Sequence, residues 1–315
     1  MNLPPDFIST IQNTYGEDGD AFLKALPESI AQASARWGLT NVQPAPTLSY
    51  NFVAFAECAS TAGFDETPQP SAHTGEVVLK MGVPGDEMES EMATLRLFNG
   101  QGACRLIDCD EEKSWMLLER LRPGAMLSTL EGDEEATQIA ADVMQKIWRP
   151  APEDDVFIQL SDWFDGLNRL RTRFNGETGP LNKRLVERVE RSVKDFLIEN
   201  QMPVLMHGDF HHFNILSSER GWLIIDPKGV IGPAAYEVGP LLINPWGDLL
   251  SGKDYRGMTK RRIDILHERL GFERERIREW GLAHAILSAW WGIEDNTGWD
   301  YALAFAEMIA ELKIK

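Results

Sequence analysis

The chain has 315 residues, which is long enough for a large hydrophobic core and for two lobes. Its 31 basic and 49 acidic residues give a formal net charge of −18 at pH 7. That balance argues against a nucleic-acid partner or an anionic membrane surface, because both need clustered Lys and Arg.

Cysteine content and hydropathy indicate the compartment. The three cysteines lack any C-x-x-C spacing, which favours small core residues in a reducing environment over a disulfide framework. The first residues show no charged start followed by an apolar run, and nowhere do 18 apolar residues follow one another. We therefore expect a cytoplasmic protein with no membrane partner.

Strands and helices alternate in the first part of the chain. The spacing of apolar residues predicts an amphipathic helix over Glu17–Trp37, kinked near Pro27. The further predicted elements are strands at Thr47–Cys58, Glu76–Met81, Leu106–Cys109 and Trp115–Leu118, a loop at Ala59–Gly75 and a helix at Asp86–Phe98. Composition shifts after Arg122, which predicts a sheet-rich N-terminal lobe over residues 1–122.

The second part of the chain, residues 123–315, is predicted to be a larger and mainly helical lobe. Its predicted helices are Asp133–Trp148, Val156–Phe174, Leu181–Glu199, Met258–Leu270, Glu273–Trp291 and Trp299–Leu312. A stretch that reads as a β-hairpin interrupts these helices. The sequence therefore predicts an α+β protein with two lobes.

The hairpin carries the residues best suited to chemistry. Phe213–Leu216 and Trp222–Ile225 are predicted strands joined by a polar turn. Asp209 precedes the first strand, Asn214 lies within it and Asp226 ends the second. Paired strands lie roughly 5 Å apart, so we expect these three side chains to lie close together. Two carboxylates and an amide oxygen suit Mg²⁺ and a hydroxyl that must lose a proton.

The spacing of these residues matches a kinase catalytic loop. Asp209 and Asn214 form D-x-x-x-x-N, with His207 two residues before the aspartate and Gly208 in place of the Arg of H-R-D. In kinases this Asp accepts the proton of the substrate hydroxyl and this Asn binds Mg²⁺. Asp226, within I-D-P, takes the place of the metal-binding Asp of D-F-G.

A transition-metal site is the alternative interpretation of the same stretch. His207, His211 and His212, together with the two aspartates, are residue types that bind Zn or Fe in hydrolases. Neighbouring histidines on a strand point to opposite faces, which argues against one shared ion. On the kinase interpretation, the His211-His212 pair is a spacer between the base and the metal ligand.

Lys80 ends an apolar strand, so its stem can be buried while its ammonium faces a cleft. The helix that follows carries Glu87, Glu89 and Glu91. Kinases hold a strand Lys on the ATP phosphates with such a helix Glu. We choose Glu91 because it lies one turn before the apolar-rich run Leu95–Phe98.

Other nucleotide contacts have weaker signals. Glu119 and Leu121 are assigned to cofactor binding because they lie at the predicted connector between the lobes. Their backbone atoms could there face a purine. No G-x-G-x-x-G or G-x-x-x-x-G-K-[ST] phosphate loop is present. The segment Trp290–Asp295 has two interpretations, a pocket for a cationic acceptor or core tryptophans followed by an acidic helix end.

At this point the chain resembles a known family. The run HGDFHHFNIL, the later run GWLIIDPKGVIGPAAYEVGPLL and the upstream run VVLKMGVP are similar to those of the aminoglycoside phosphotransferases. The nearest branch is that of the aminoglycoside and hydroxyurea antibiotic resistance kinases. The resemblance extends over roughly residues 48–310, and the I-D-P-K-G-x-I-G run is its more specific part.

The resemblance implies a protein-kinase-like bilobal fold and transfer of phosphate from ATP, with Mg²⁺, to a hydroxyl of a small molecule. It implies Asp209 as catalytic base, Asn214 and Asp226 as Mg²⁺ ligands, and Lys80 with Glu91 as the pair that positions phosphates.

Two features depart from the branch. Glu237 stands where the branch commonly has Asp, a change expected to be structural and tolerated. The predicted loop Ala59–Gly75 is long, which leaves the nucleotide-loop residues unassigned.

Two other functions stay open at this level, a non-catalytic nucleotide-binding protein of the same fold and the metal-dependent hydrolase. Within the kinase interpretation, the acceptor is an aminoglycoside, another amino sugar or amine alcohol, or a cell metabolite. The acidic character of the C-terminal lobe favours a cationic acceptor.

Overall fold

The computed structural model describes residues 3–58, 75–199, 202–245 and 254–314. The chain divides into two compact units, Met1–Arg122 and Pro123–Lys315, called here the N-terminal and C-terminal units. The division falls at the residue where composition shifts. The functions assigned to the two parts stay predictions.

The N-terminal unit is built on a five-stranded antiparallel sheet with the order β1-β2-β3-β5-β4. Its strands are Leu39–Pro44 (β1), Phe52–Cys58 (β2), Glu76–Met81 (β3), Leu106–Asp110 (β4) and Trp115–Glu119 (β5). On β3, Val77, Leu79 and Met81 are buried in the core on one face. Lys80, between them in sequence, therefore points to the opposite face of the sheet.

A long helix, α1 (Pro5–Trp37), contributes Phe7 and Ile11 to that core. The prediction of a kink near Pro27 is wrong. The non-helical backbone inside this helix lies at Gly16, with φ 54° and ψ −124°. Glycine reaches positive φ without the steric cost that a Cβ brings, so it takes the break.

Other predictions for this unit are correct or need adjustment. Helix α2 spans Asp86–Phe98, and β3 has the predicted bounds. The predicted strand at Thr47–Cys58 begins only at Phe52. Strand β1 was not predicted, because its sequence LTNVQP is mostly polar and its residues are largely exposed. The predicted loop Ala59–Gly75 lies, apart from Gly75, outside the described residues.

The C-terminal unit is mainly helical. Its helices are Asp133–Ile147 (α3), Leu160–Phe164 (α4), Gly166–Arg173 (α5), Lys183–Ile198 (α6), Val238–Ile243 (α7), Tyr255–Leu270 (α8), Arg274–Glu294 (α9) and Asp300–Ala310 (α10). The predicted helix Val156–Phe174 is therefore two helices that meet at Asp165. Helix α9 packs against α10, α7, α6 and α8, so it forms the centre of the unit.

Short strands at one side of these helices position the hairpin. They are Pro123–Met126 (β6), Arg149–Pro150 (β7), Ile158–Gln159 (β8), Val204–Met206 (β9), Ile215–Ser218 (β10), Gly221–Ile224 (β11) and Val230–Gly232 (β12). They pair in the orders β11-β10-β6 and β7-β9-β12-β8. The predicted hairpin forms between β10 and β11, with Ile215 opposite Ile224. Its first strand starts at Ile215 and not at Phe213, so Asn214 immediately precedes the strand.

Among the helices of the described residues, none combines the length and the apolar character needed to cross a membrane.

Candidate active site

The loop after β9 is fixed by the buried carboxyl group of Glu237. The backbone N–H groups of His207 and Gly208 each donate a 2.9 Å hydrogen bond to it, one to each side-chain oxygen. The His207 ring contacts the Ile225 carbonyl through Nε2 at 2.9 Å, and its Nδ1 accepts from the Asp209 N–H at 3.2 Å. This pattern is that of a neutral imidazole with its proton on Nε2. Burial lowers the pKa of His207 to about 4, although Asp209 and Asp226 act in the opposite direction.

Gly208 has a steric reason to replace the Arg of the kinase H-R-D motif. Its φ is +87°, and a Cβ there would lie 2.3 Å from Cγ2 of Val230 and 3.0 Å from the ring of Trp163. A side chain would therefore clash with the neighbouring strand as well as strain the backbone. The catalytic-loop backbone needs glycine at this position.

Asp209, His211 and Asn214 contact one another in the loop that follows Gly208. His211 Nε2 lies 3.4 Å from Asp209 Oδ2. Asn214 donates through its side-chain nitrogen to the Asp209 carbonyl at 3.1 Å, and its own N–H donates to the His211 carbonyl at 2.9 Å. The spacer interpretation of the two histidines is therefore wrong for His211, because its ring contacts the predicted base.

The charges in this loop keep Asp209 ionised. Burial alone raises the pKa of Asp209, but His211 and Lys228 outweigh it, so that the pKa lies below its ordinary value. Burial likewise lowers the pKa of His211, and the neighbouring Asp209 carboxylate reverses this and raises it. An ionised and partly exposed carboxylate can accept a hydrogen bond from a substrate hydroxyl.

Asp226 follows the second hairpin strand in an unusual backbone conformation, with φ +56°. The hairpin ties it to the loop, because the Ile225 N–H donates to the Asn214 carbonyl at 3.0 Å. Lys228 adds a second tie, since its N–H donates to the His207 carbonyl at 2.7 Å. Both metal ligands predicted from the sequence are thus anchored to the segment that carries Asp209.

The donor set suits Mg²⁺. The side-chain nitrogen of Asn214 is engaged with a carbonyl, so its Oδ1 is the atom that can ligate a cation. Asp226 supplies a carboxylate. Mg²⁺ is usually held in this way, by one or two protein oxygens with phosphate oxygens and waters completing the octahedron.

The transition-metal alternative finds no support. In the parts of the chain that the structure describes, no group of three or more His, Cys, Asp or Glu residues is placed to hold a metal ion. Both ring nitrogens of His207 are engaged in hydrogen bonds. His212 is buried, and burial together with the charge of Arg262 lowers its pKa well below the ordinary value.

In the N-terminal unit, Lys80 and Glu91 form a buried ion pair. Lys80 Nζ lies 2.6 Å from Oε1 and 2.5 Å from Oε2 of Glu91. The side chains are only 5% and 2% exposed. The sheet directs Lys80 away from the core face, and α2 presents Glu91 to it. The pair therefore fixes an ammonium group at the end of β3.

Replacing Lys80 with Met is expected to lower the free energy of unfolding by about 3 kcal/mol, because it leaves the Glu91 carboxylate buried without its cation. Urea titration followed by circular dichroism measures the change. The matched control is the double variant Lys80→Met with Glu91→Leu, which removes both charges and should recover most of the loss. A double variant as unstable as the single one would contradict this account.

The residues assigned to the purine are placed as follows. The Glu119 side chain accepts from the Arg105 N–H at 3.0 Å, and the Glu119 N–H donates to the Arg105 carbonyl at 2.9 Å. Leu121 is buried. Since the Glu119 carboxylate is already hydrogen-bonded, this segment could bind a nucleotide only through its backbone. That role stays a prediction.

The segment Trp290–Asp295 was interpreted either as a pocket for a cationic acceptor or as core tryptophans followed by an acidic helix end, and its residues differ in their surroundings. Trp290 is buried in the core. Trp291 is half-buried and lies edge-to-face with Trp163, with ring centroids 5.3 Å apart. Glu294 pairs with Arg169 through both carboxylate oxygens. The carboxylate of Glu294 at this helix end is thus paired with a cation, and Trp291 is the residue of this segment that packs against Trp163.

Three residues that contact the predicted site were not assigned to catalysis or to the binding of nucleotide or Mg²⁺ in the kinase interpretation: Glu237, His211 and Lys228. Lys228 lies in the I-D-P-K-G run, of which only the aspartate has a predicted role in the site. Glu237 was noted as a departure from the branch, but its contact with a loop 29 residues earlier cannot be read from local sequence.

The chain is similar to known proteins over most of its length. The family model described as aminoglycoside/hydroxyurea antibiotic resistance kinase matches residues 65–296. A streptomycin 6-kinase of Streptomyces glaucescens is 29% identical over 302 residues, which is 94% of this chain and 92% of that protein. A hydroxyurea phosphotransferase of Kitasatospora aureofaciens is 27% identical, over 94% of this chain and 82% of its own length.

The fold is matched independently. A thermostable aminoglycoside phosphotransferase mutant, crystallised with ADP and hygromycin B, superposes with a TM-score of 0.61 at 12% identity. The match covers 90% of this chain and 98% of that one. The predicted protein-kinase-like fold is confirmed, and so is the predicted resemblance. The chain belongs to the aminoglycoside/hydroxyurea antibiotic resistance kinase family, whose members are phosphotransferases that act on hydroxyl groups of small molecules.

Proposed function

We propose that this kinase transfers the γ-phosphoryl group of Mg²⁺-bound ATP to a hydroxyl of a cationic small molecule. The observation that carries the proposal is that backbone hydrogen bonds join the loop carrying Asp209 and Asn214 to the segment carrying Asp226, on the other side of the hairpin. A carboxylate for the acceptor hydroxyl next to two oxygen ligands for Mg²⁺ is the combination that phosphoryl transfer requires.

Each proposed site residue has a separate role in phosphoryl transfer. Asp209 orients the acceptor hydroxyl and takes its proton as the new bond to phosphorus forms. Asn214 and Asp226 would hold Mg²⁺, which, when bound, neutralises charge on the phosphates. Lys80, kept in place by Glu91, would position the phosphates. The N-terminal unit, residues 1–122, is the proposed nucleotide-binding lobe, and residues 123–315 are the proposed catalytic and acceptor-binding lobe.

Two observations support a cationic acceptor. Two of the similar proteins are named streptomycin 6-kinases, and streptomycin is a cationic aminoglycoside. The net charge of −18 favours the approach of a cation.

ATP as donor is supported by the ADP bound to the matching aminoglycoside phosphotransferase. A cytoplasmic location, which three cysteines without any C-x-x-C spacing favour, stays a prediction.

The test is acceptor-dependent release of ADP from Mg²⁺ and ATP. Streptomycin serves as a cationic acceptor and hydroxyurea as a neutral one, with a reaction lacking acceptor as background. Mass spectrometry should show the acceptor gaining one phosphoryl group, and EDTA should abolish the gain. Transfer to hydroxyurea but not to streptomycin would contradict the cationic preference. An absence of nucleotide binding would contradict the proposed function as a whole.

A further inference from the structure

Lys228 lies in a short segment whose backbone is tightly constrained. Asp226 and Gly229 have positive φ, +56° and +70°, and Pro227 between them fixes its own φ. The Lys228 N–H donates to the His207 carbonyl at 2.7 Å, which joins the segment to the loop carrying the base. The base of the Lys228 side chain is therefore held in one place relative to Asp209.

The ammonium of Lys228 lies beside Asp226, the proposed metal ligand. Nζ lies 3.5 Å from Asp226 Oδ1, and the side chain is only 16% exposed, so most of its stem is buried. Its positive charge also reaches Asp209, where it contributes to lowering the pKa of that carboxyl. One partly buried cation thus contacts the carboxylate proposed for the metal and lowers the pKa of the carboxylate proposed for the acceptor.

We propose that Lys228 is a catalytic residue, whose ammonium donates a hydrogen bond to a γ-phosphoryl oxygen during transfer. This role rests on the proposed function. In the step, the acceptor oxygen forms a new bond to the γ-phosphorus, and its proton passes to Asp209. The bond from that phosphorus to the β,γ-bridging oxygen breaks, and its electron pair leaves on ADP.

The position of Lys228 explains why a cation is useful there. During transfer, negative charge spreads over the equatorial oxygens of the phosphoryl group. On the proposed function, Asp209 takes the proton of the acceptor and Asp226 holds the metal that binds the phosphates. An ammonium 3.5 Å from the Asp226 carboxylate is in place before the reaction begins, so it can stabilise that charge without reorganisation.

The competing explanation is purely structural. Lys228 would then only offset the repulsion between two nearby carboxylates and would touch no substrate. The two explanations differ in what the lysine stabilises. A structural cation affects the stability of the loop, whereas a catalytic one affects the transition state more than bound ATP.

The experiment compares Lys228→Met, which keeps the apolar stem, with Lys228→Arg, which keeps a charge. Lys183→Met is the matched control, since Lys183 also pairs with a carboxylate, Glu177 at 3.0 Å, but at the exposed start of α6. For Lys228→Met we expect kcat to fall about 10²–10³-fold, as for loss of one transition-state donor. KM for ATP should stay unchanged, because the contact is made in the transition state. Lys228→Arg should retain part of kcat.

A second readout does not depend on turnover. ADP with aluminium fluoride imitates the transferring phosphoryl group, and its affinity is measured by calorimetry beside that of ADP alone. Lys228→Met should lose the extra affinity for the aluminium fluoride complex and keep that for ADP. If Lys228→Met does not fold, Lys228→Gln takes its place in both measurements.

The outcomes separate this role from the function on which it rests. If the wild type transfers phosphate and Lys228→Met matches it in kcat and in aluminium fluoride affinity, with only a lower melting temperature, the catalytic role is overturned and the kinase function stands. If the wild type binds no nucleotide, the proposed function fails and this role fails with it.

Discussion

Replacing Asp209 with asparagine is expected to lower kcat about 10²–10⁴-fold, the range typical for loss of a general base. The amide has the size of the carboxylate but cannot take the proton of the acceptor hydroxyl. Nucleotide affinity should survive, since the proposed metal ligands Asn214 and Asp226 are unchanged. Single-turnover assays with saturating ATP and acceptor measure the chemical step directly.

The loop should keep its shape in this variant. The contacts that hold it use the Asp209 backbone, whose N–H meets His207 and whose carbonyl meets Asn214. The side chain is 38% exposed and asparagine has nearly the same size, so the substitution opens no cavity. Asp162→Asn, on the exposed surface of α4, is the matched control and should be fully active. Wild-type turnover by Asp209→Asn would remove the role assigned to this residue.

A consequence for His211 gives a second check on the same variant. The Asp209 carboxylate is what raises the pKa of His211 against the effect of burial. In Asp209→Asn, His211 should therefore titrate at lower pH than in the wild type. NMR titration of the histidine ring protons follows this shift independently of activity.

Parts of the fold were predictable because local pattern determined them. Strand β3 and helix α2 have the predicted bounds, since one is a run of β-branched and apolar residues and the other shows helical spacing between two glycine-containing turns. The hairpin was predictable for the same reason. Strand β1 was not, because its pairing with β2, and not its polar sequence, makes it a strand.

The site residues that follow a motif spacing could be predicted from the sequence. Those whose role depends on contacts between distant parts of the chain could not. D-x-x-x-x-N and I-D-P placed Asp209, Asn214 and Asp226 on one hairpin. Nothing local shows that Gly208 must avoid the side chain of Val230, a residue on another strand. In the same way, the contact of Glu237 with the catalytic loop exists only once the chain has folded. The residues that support a site are therefore harder to predict than those that react.

Replacing Glu237 with alanine is expected to lower the free energy of unfolding by about 4 kcal/mol. The change leaves the buried N–H groups of His207 and Gly208 without acceptors, at about 1–3 kcal/mol each, and opens a cavity as well. Activity should fall too, because those two amides set the position of the following residue, Asp209. Urea titration and kcat are the two measurements. Glu237→Gln, which keeps the volume and one acceptor oxygen, should lie between alanine and the wild type.

The pH dependence of this loss distinguishes the buried carboxyl from an ordinary packing residue. Burial raises the pKa of Glu237 to about 8, with the Asp209 charge adding to it and the two backbone amides opposing it. The folded state therefore binds a proton that the unfolded chain releases near pH 4.5. The stabilisation due to this proton is complete below that value and is lost as the pH rises through about 8. The difference in unfolding free energy between wild type and Glu237→Ala should thus be larger at pH 6 than at pH 8.5. An equal difference at both values would mean that the carboxyl keeps the same ionisation when the chain folds, and that Glu237 holds the loop as a permanently charged acceptor.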